Sequence, residues 1–245
     1  MIILYPVSQP ANYDRAATMF SPDGRLYQVE YASKIVSQGT MGVACKYNNG
    51  VIFGAYKKIN SKLLLPESVE KIFQIDDHIM AVSAGLVGDA RRIVGVARQK
   101  AQENKMLYEE PSPIENLVKE VSNLKQIFTQ YGGMRPFGIS LIIGGIDTTG
   151  KRLFETEPSG ALAEYHAIAI GKNRDKAMDY FEKQWKETMS KEAATRMLLK
   201  ALEHSLEEKE KVDTGKLQFT FIDNGSKTFN SISQVELKSL LSAKQ

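Results

Sequence analysis

The sequence predicts an α+β protein of four layers, with helices outside and two antiparallel sheets inside. Three observations carry this expectation. The β-type runs come in adjacent pairs joined by short turns, the helical patterns come in pairs between those strand pairs, and no run has the spacing of a parallel βαβ crossover. A chain of 245 residues is one large domain or two small ones, long enough to bury a substantial core.

The elements follow in order. A turn cluster, Ser21-Pro22-Asp23-Gly24, leads into residues 25–36, where Leu26, Val29, Ala32 and Val36 recur at helical spacing. Residues 40–47 and 51–56 are β-type runs joined by Asn48-Asn49-Gly50, a hairpin signal because Asn and Gly tolerate positive φ. Residues 71–75 and 78–84 form a second strand pair, with Asp76-Asp77 expected in an exposed turn. One helical pattern carries Ile93, Val94, Ala97 and Ala101. The next opens after Pro111-Ser112-Pro113, carries Leu117, Val121, Leu124, Phe128 and Tyr131, and is stopped by Gly132-Gly133. Strands return at 139–146, 153–156 and 165–170. Two further helices are expected between about 174 and 208, a strand at 217–222 and a terminal helix at 235–241.

Composition narrows the function classes. Hydrophobic residues at 42% and charged residues at 25% place the chain with ordinary soluble globular proteins rather than disordered or coiled-coil ones. A net charge of +3 is too slight for a dedicated nucleic-acid binder, so no nucleic-acid partner is expected. The single cysteine, Cys45, excludes an internal disulfide framework and every multi-cysteine metal site, and the three histidines are scattered. The apolar start Met1 to Leu4 is interrupted by Tyr5-Pro6 and lacks a signal-peptide pattern. No stretch approaches the roughly 18 apolar residues of a membrane span. A cytoplasmic protein without a membrane partner is the expectation.

The usual enzyme constellations are missing. Neither GxxxxGK[ST] nor GxGxxG after a strand occurs, and GxSxG, HExxH and CxxC are absent. His166 reads as a half-buried strand histidine, Cys45 as a buried small hydrophobe, and Arg91-Arg92 as a solvated helix face. No metal or cofactor is implied. One enzymatic idea survives: Thr40, if exposed by cleavage after Gly39, could use its own α-amine as base, with Lys71 lowering its pKa.

The segment Tyr13-Asp-Arg-Ala-Ala-Thr-Met-Phe20-Ser-Pro-Asp-Gly-Arg25-Leu-Tyr-Gln28-Val-Glu-Tyr-Ala32 closely resembles the N-terminal signature of proteasome α-type subunits, the archaeal kind above all. Further landmarks extend the resemblance: Val69-Glu-Lys-Ile72, Ser83-Ala-Gly-Leu-Val-Gly-Asp-Ala90, Thr129-Gln-Tyr-Gly-Gly-Met-Arg-Pro-Phe-Gly138 and Gly144-Gly-Ile-Asp147. It implies the αββα sandwich of N-terminal-nucleophile hydrolases, in a single domain over 13–245 with a gate tail at 1–12. In the related catalytic β subunits a processed threonine, an acid and a lysine form the site. Those positions fall here on Thr40, Tyr56 and Lys71, and a tyrosine supplies no carboxylate. The resemblance therefore implies a non-catalytic subunit of the outer seven-membered ring, stacked on β subunits that cut unfolded protein substrates.

Other roles follow from the same resemblance. The tail, Met1 to Asn12, would obstruct an axial pore, and a cluster at Tyr13, Asp14, Pro22 and Tyr31 would hold the gate open. Activators, such as an ATPase with tails ending hydrophobic–Tyr–any residue, would dock in pockets between neighbours. Lys71 matches the lysine that pairs with the tail carboxylate and Gly39 a close-approach position. Leu86 and Val87 match the apolar lining, and Glu30 a carboxylate near the mouth. Without the resemblance, Lys71 reads as a strand-edge lysine in solvent.

Overall fold

In the computed structural model of the chain, residues 13, 15–57, 59, 61–205, 213–226 and 228–242 are described. The 1–12 tail and Asp14 lie outside the described residues. The first hairpin joins β1 (Gly42–Tyr47) to β2 (Gly50–Tyr56), with Tyr47 opposite Gly50. The expected hairpin is present, but neither asparagine takes positive φ. Gly50 is needed for proximity instead: a Cβ there would lie 1.9 Å from the Ile222 carbonyl oxygen.

Strand β8 (Ala167–Ile170) lies beyond β1, while β9 (Leu217–Asp223) and the short β10 (Phe229–Ser231) continue beyond β2. This sheet runs β10-β9-β2-β1-β8, antiparallel throughout. The second sheet contains β3 (Ile72–Asp76), β4 (Ile79–Gly85), β5 (Ile139–Asp147), β6 (Gly150–Thr156) and β7 (Leu162–Glu164), in that order and also antiparallel.

Alternation assigns each side chain to a layer. Ile79, Ala81, Ile139, Leu141 and Ile143 face α2 (Val87–Tyr108) and α3 (Ile114–Gln130), whereas Met80, Val82, Ala84 and Ile142 face the other sheet. Both faces of these strands are covered, so their sequences are continuous apolar runs rather than alternating ones. On the outer face of the first sheet, α4 (Arg174–Gln184), α5 (Lys191–Ser205) and α6 (Gln234–Ser242) bring in Phe181, Leu198, Leu202 and Leu237. The result is the α+β sandwich, αββα, of the N-terminal-nucleophile hydrolase type. Helix α1 (Tyr27–Gln38) stands apart from the four layers; Val36 enters the inter-sheet core and the helix packs on β4 and β5.

Sequence expectation and structure differ in places. The run 165–170 is not one strand. The chain leaves the second sheet after β7, crosses at Tyr165-His166 and joins the first sheet as β8. His166 is accordingly exposed, and its ring stacks on Trp185 with centroids 4.4 Å apart. Three-residue β7 and β10 are too short to show a period. Asp76 is buried rather than exposed in a turn, because β3 runs through it and its carboxylate accepts from the Asp77 amide. Sheet edges are covered by side chains: Arg174 Nε donates to the Ala169 carbonyl at 3.1 Å and Arg98 Nε to the Gln74 carbonyl at 2.8 Å.

A buried lysine joins α3 to the second sheet. Lys125 Nζ donates to the carbonyls of Ile139 (3.0 Å) and Thr156 (2.9 Å) and to Thr156 Oγ1 (2.8 Å). Burial pushes its pKa down to about 7, opposed by Glu155 and Glu157. Three acceptors match the three hydrogens of an ammonium group, which argues for the charged form. Replacing it by methionine leaves those acceptors without a donor at nearly unchanged volume. Lys125→Met is expected to destabilise the fold by about 3 kcal/mol. Urea unfolding at fixed protein concentration measures it, and an unshifted midpoint would exclude the lysine as a structural tie.

Candidate functional site

The polypeptide between α1 and β1 is confined on both sides by backbone. Gly39 ends α1, its amide donating to the Val36 carbonyl at 2.9 Å, and a Cβ on it would stand 2.6 Å from the Gly85 nitrogen. Gly171, at φ +98°, lies on the other side, where a Cβ would come within 2.9 Å of the Gly39 and Thr40 carbonyl oxygens. The Gly39 carbonyl accepts from the Lys172 amide at 2.8 Å. Nothing larger than hydrogen fits at either glycine without moving backbone.

Lys71 enters this confined segment from the residue preceding β3. The whole residue is only 5% exposed, so the solvent-facing lysine of the composition-based reading is absent. Its Nζ donates to the Thr40 carbonyl oxygen at 3.1 Å, and its own carbonyl accepts from the Ser83 amide at 3.0 Å. Burial pushes the ammonium pKa down to about 8, with no carboxylate contributing. Tyr56, at the acid position, lies against the outer-face core beneath α4 and α5.

Gly85, at φ +120°, carries the chain from β4 to Leu86, and Leu86 to the start of α2. Leu86 and Val87 are 40% and 39% exposed, an unusual state for two adjacent apolar side chains. Gly39, Lys71, Leu86 and Val87 are thus linked through Thr40 and Gly85. Glu30 belongs to a different contact: Arg25 Nε donates to its Oε1 at 2.7 Å and Arg25 Nη2 to its Oε2. The hydrogen bond from Arg25 lowers the Glu30 pKa.

The proposed gate residues are only partly described. Tyr31 is 39% exposed and stacks on Tyr27. Pro22 is exposed in a turn closed by Ser21, whose amide donates to the Arg25 carbonyl and whose Oγ accepts from the Arg25 amide, both at 3.0 Å. Tyr13 is half-buried in a turn, and Asp14 falls outside the described residues.

Two features had no role assigned from sequence. A cavity of about 360 Å³ lies under α1, between Ser33 and Ser37 of the helix and Ser140, Glu155 and Arg174. Burial pushes Glu155 up to about 7, while Arg174 Nη2, 2.7 Å from its Oε2, opposes that rise. The second is Asp89, in the first turn of α2, which accepts from both Nη atoms of Arg135 at 2.7 Å and from the Gly138 amide at 2.8 Å. Both residues sit in motifs quoted above, yet nothing in sequence spacing pairs positions 46 residues apart. Among the described residues no His, Cys, Asp or Glu group could hold a metal ion, and no helix is long and apolar enough to cross a membrane.

Comparison with known proteins places the sequence of the chain with the proteasome subunits. The family model described as "Proteasome subunit" matches residues 36–222, and the model for the N-terminal signature of A-type proteasome subunits matches residues 13–34. The proteasome alpha subunit of Methanopyrus kandleri is 49% identical over 217 residues, covering 88% of this chain and 87% of that protein. The proteins of the same name from Methanothermobacter thermautotrophicus and Pyrococcus horikoshii are 46% and 44% identical, covering 94% and 96% of this chain and 92% and 89% of theirs. With a signature helix ahead of a two-sheet sandwich, and relatives of one name along nearly its whole length, the chain belongs to the proteasome subunits of α type.

Proposed function

We propose that the chain is a non-catalytic α subunit that forms a seven-membered ring, stacks on β subunits, gates substrate entry and docks activator tails in ATP-dependent protein degradation. The observation that carries this reading is the orientation of Lys71. Its ammonium is buried against the Thr40 carbonyl with no carboxylate contributing to its pKa, a position suited to receiving a carboxylate and lacking the acid that would orient a lysine beside a nucleophile.

The chemistry of docking follows from these residues. An incoming tail presents a terminal carboxylate to Lys71, a charge-assisted hydrogen bond of about 1.5–3 kcal/mol. Leu86 and Val87 supply apolar surface for the hydrophobic and tyrosine positions of the tail, and Glu30 from a neighbouring copy lies at the mouth. A single tail binds weakly, and several on one ring gain from high effective concentration. Other exposed apolar groups, among them Ile35 on α1, Leu63 and Leu65 before β3, and Met106, Leu107 and Tyr108 at the end of α2, support burial against further subunits.

Gating assigns the 1–12 tail to the pore. Met1, Ile2, Ile3, Leu4 and Tyr5, repeated by ring symmetry, cluster as a plug. Roughly 25 cal/mol per Å² of burial is offset by the entropy of ordering each tail, leaving a balance near zero that an activator can tip. Tyr13, Asp14, Pro22 and Tyr31 hold the open arrangement through aromatic packing and one carboxylate.

Four measurements test the proposal on core particles assembled with their β partner. Lys71→Ala should bring the ratio of activator-stimulated to unstimulated peptide cleavage close to one, and retained stimulation removes Lys71 from the pocket. The proton sign is explicit: docking needs the ammonium, whose pKa is about 8 in the free site. Half-saturating activator concentration should therefore be flat below pH 8 and rise by about tenfold per pH unit well above it. Tyr13→Ala should slow activated degradation of unfolded protein in an intact ring, and an unchanged rate excludes it from the gate. Intact mass near 27.3 kDa keeps Thr40 blocked, whereas a product beginning at Thr40 makes the chain an autoprocessed threonine peptidase using Thr40 and Lys71.

A further inference from the structure

The start of α2 lacks the usual side-chain cap. Its N-cap is Leu86, which has no side-chain oxygen, so the first-turn amides cannot be satisfied in the common way. Asp89 occupies the position from which an acid would reach back to the N-cap amide. That amide is engaged elsewhere: Leu86 N donates to the Gly138 carbonyl at 2.9 Å. Asp89 in turn accepts from the Gly138 amide, so a single residue across the fold is bonded both to the N-cap backbone and to the acid of the first turn.

The same Asp89 carboxylate holds Arg135 bidentately, and Arg135 Nη1 also donates to the Pro136 carbonyl at 3.0 Å. Phe137 is anchored in the outer core against Phe128, with ring centroids 4.5 Å apart. Gly138 lies close under the Leu86 side chain: a Cβ on it would fall 3.0 Å from Leu86 Cδ1 and 3.5 Å from Ile35 Cγ2. The position of the Leu86 backbone is thus set by Gly138, and the position of Gly138 by Asp89 and Arg135.

We propose that the Asp89–Arg135 pair is a positioning clamp for activator docking, fixing Leu86 and Val87 at the pocket through Gly138 without touching the bound tail. This inference rests on the docking reading above and adds to it two residues whose contribution is to affinity. Asp89→Asn keeps an acceptor for the Gly138 amide but loses the ionic pair, and Arg135→Gln removes the cation from a side chain 61% exposed, with little burden on folding.

The test uses assembled core particles and a synthetic octapeptide ending Leu-Tyr-Ala, with a free carboxylate or as the amide. Stimulation of peptide cleavage is titrated in each variant. The free-acid probe should need about fivefold higher concentration for half-maximal stimulation in both single variants, with an unchanged maximum. The double variant should match the worse single one, because both act through one contact. Arg135→Lys, which keeps the cation but loses the bidentate fork, should fall between wild type and Arg135→Gln, while the unchanged maximum separates the clamp from general destabilisation. Should Asp89→Asn fail to assemble, Arg135→Gln and Arg135→Lys decide the matter.

Half-saturation within twofold of wild type in Arg135→Gln overturns the clamp, as does an additive double variant. Loss of stimulation in Lys71→Ala alongside such a result leaves docking standing and the clamp alone refuted. Full stimulation in Lys71→Ala, or equal stimulation by the amidated probe, removes docking and the clamp together.

Discussion

At one end of the sandwich three stretches of main chain touch where side chains would normally keep them apart. Gly39 leaves α1, Gly85 leaves β4 and Gly138 enters β5, and each approaches the next closer than a Cβ would permit. A Cβ on Gly85, for instance, would lie 2.2 Å from the Gly138 carbonyl oxygen. This contact seats α1 on the second sheet, brings the Thr40 carbonyl over Lys71 and places Leu86 at the surface. The signature helix and the candidate pocket therefore share one geometric origin.

Sheet pairing around that contact explains how a buried cation is tolerated. Removing an ammonium from water is expensive unless its hydrogens find acceptors. Lys125 finds three, at the adjoining ends of β5 and β6, and is wholly structural. Among the described residues Lys71 meets one carbonyl, and its pKa is already lowered by burial, which is the state the docking proposal requires of it. Two buried lysines of similar sequence appearance differ in the number of acceptors around them, a distinction that only the folded arrangement provides.

Much of the fold was legible because the buried strands read as apolar runs bounded by turn residues and the helices keep their spacing. The strand pairs, the long α2 and α3 and the helices after β8 follow from spacing and from Pro113 and Gly132-Gly133 as boundaries. The crossing at Tyr165-His166 was not legible, since its two residues read as the start of the β8 run and the three-residue β7 before them carries no period of its own. At the site, Lys71, Gly39, Leu86 and Val87 came from resemblance to a motif; composition alone would have put Lys71 in water. The room at Gly39 is taken in this chain by Gly85. Asp89 and Arg135 stayed hidden because their partnership depends on β5 returning beside the start of α2, a tertiary fact without a local signal.

The chain's single tryptophan, at the end of α4, packs against the crossing between sheets. Trp185 donates its indole hydrogen to the Lys46 carbonyl at 3.0 Å while its ring lies along His166. One chromophore therefore sits where the polypeptide passes from one half of the sandwich to the other, in contact with both β1 and the crossing itself. Its emission is a native optical gauge of whether the two halves remain joined, available without any introduced label.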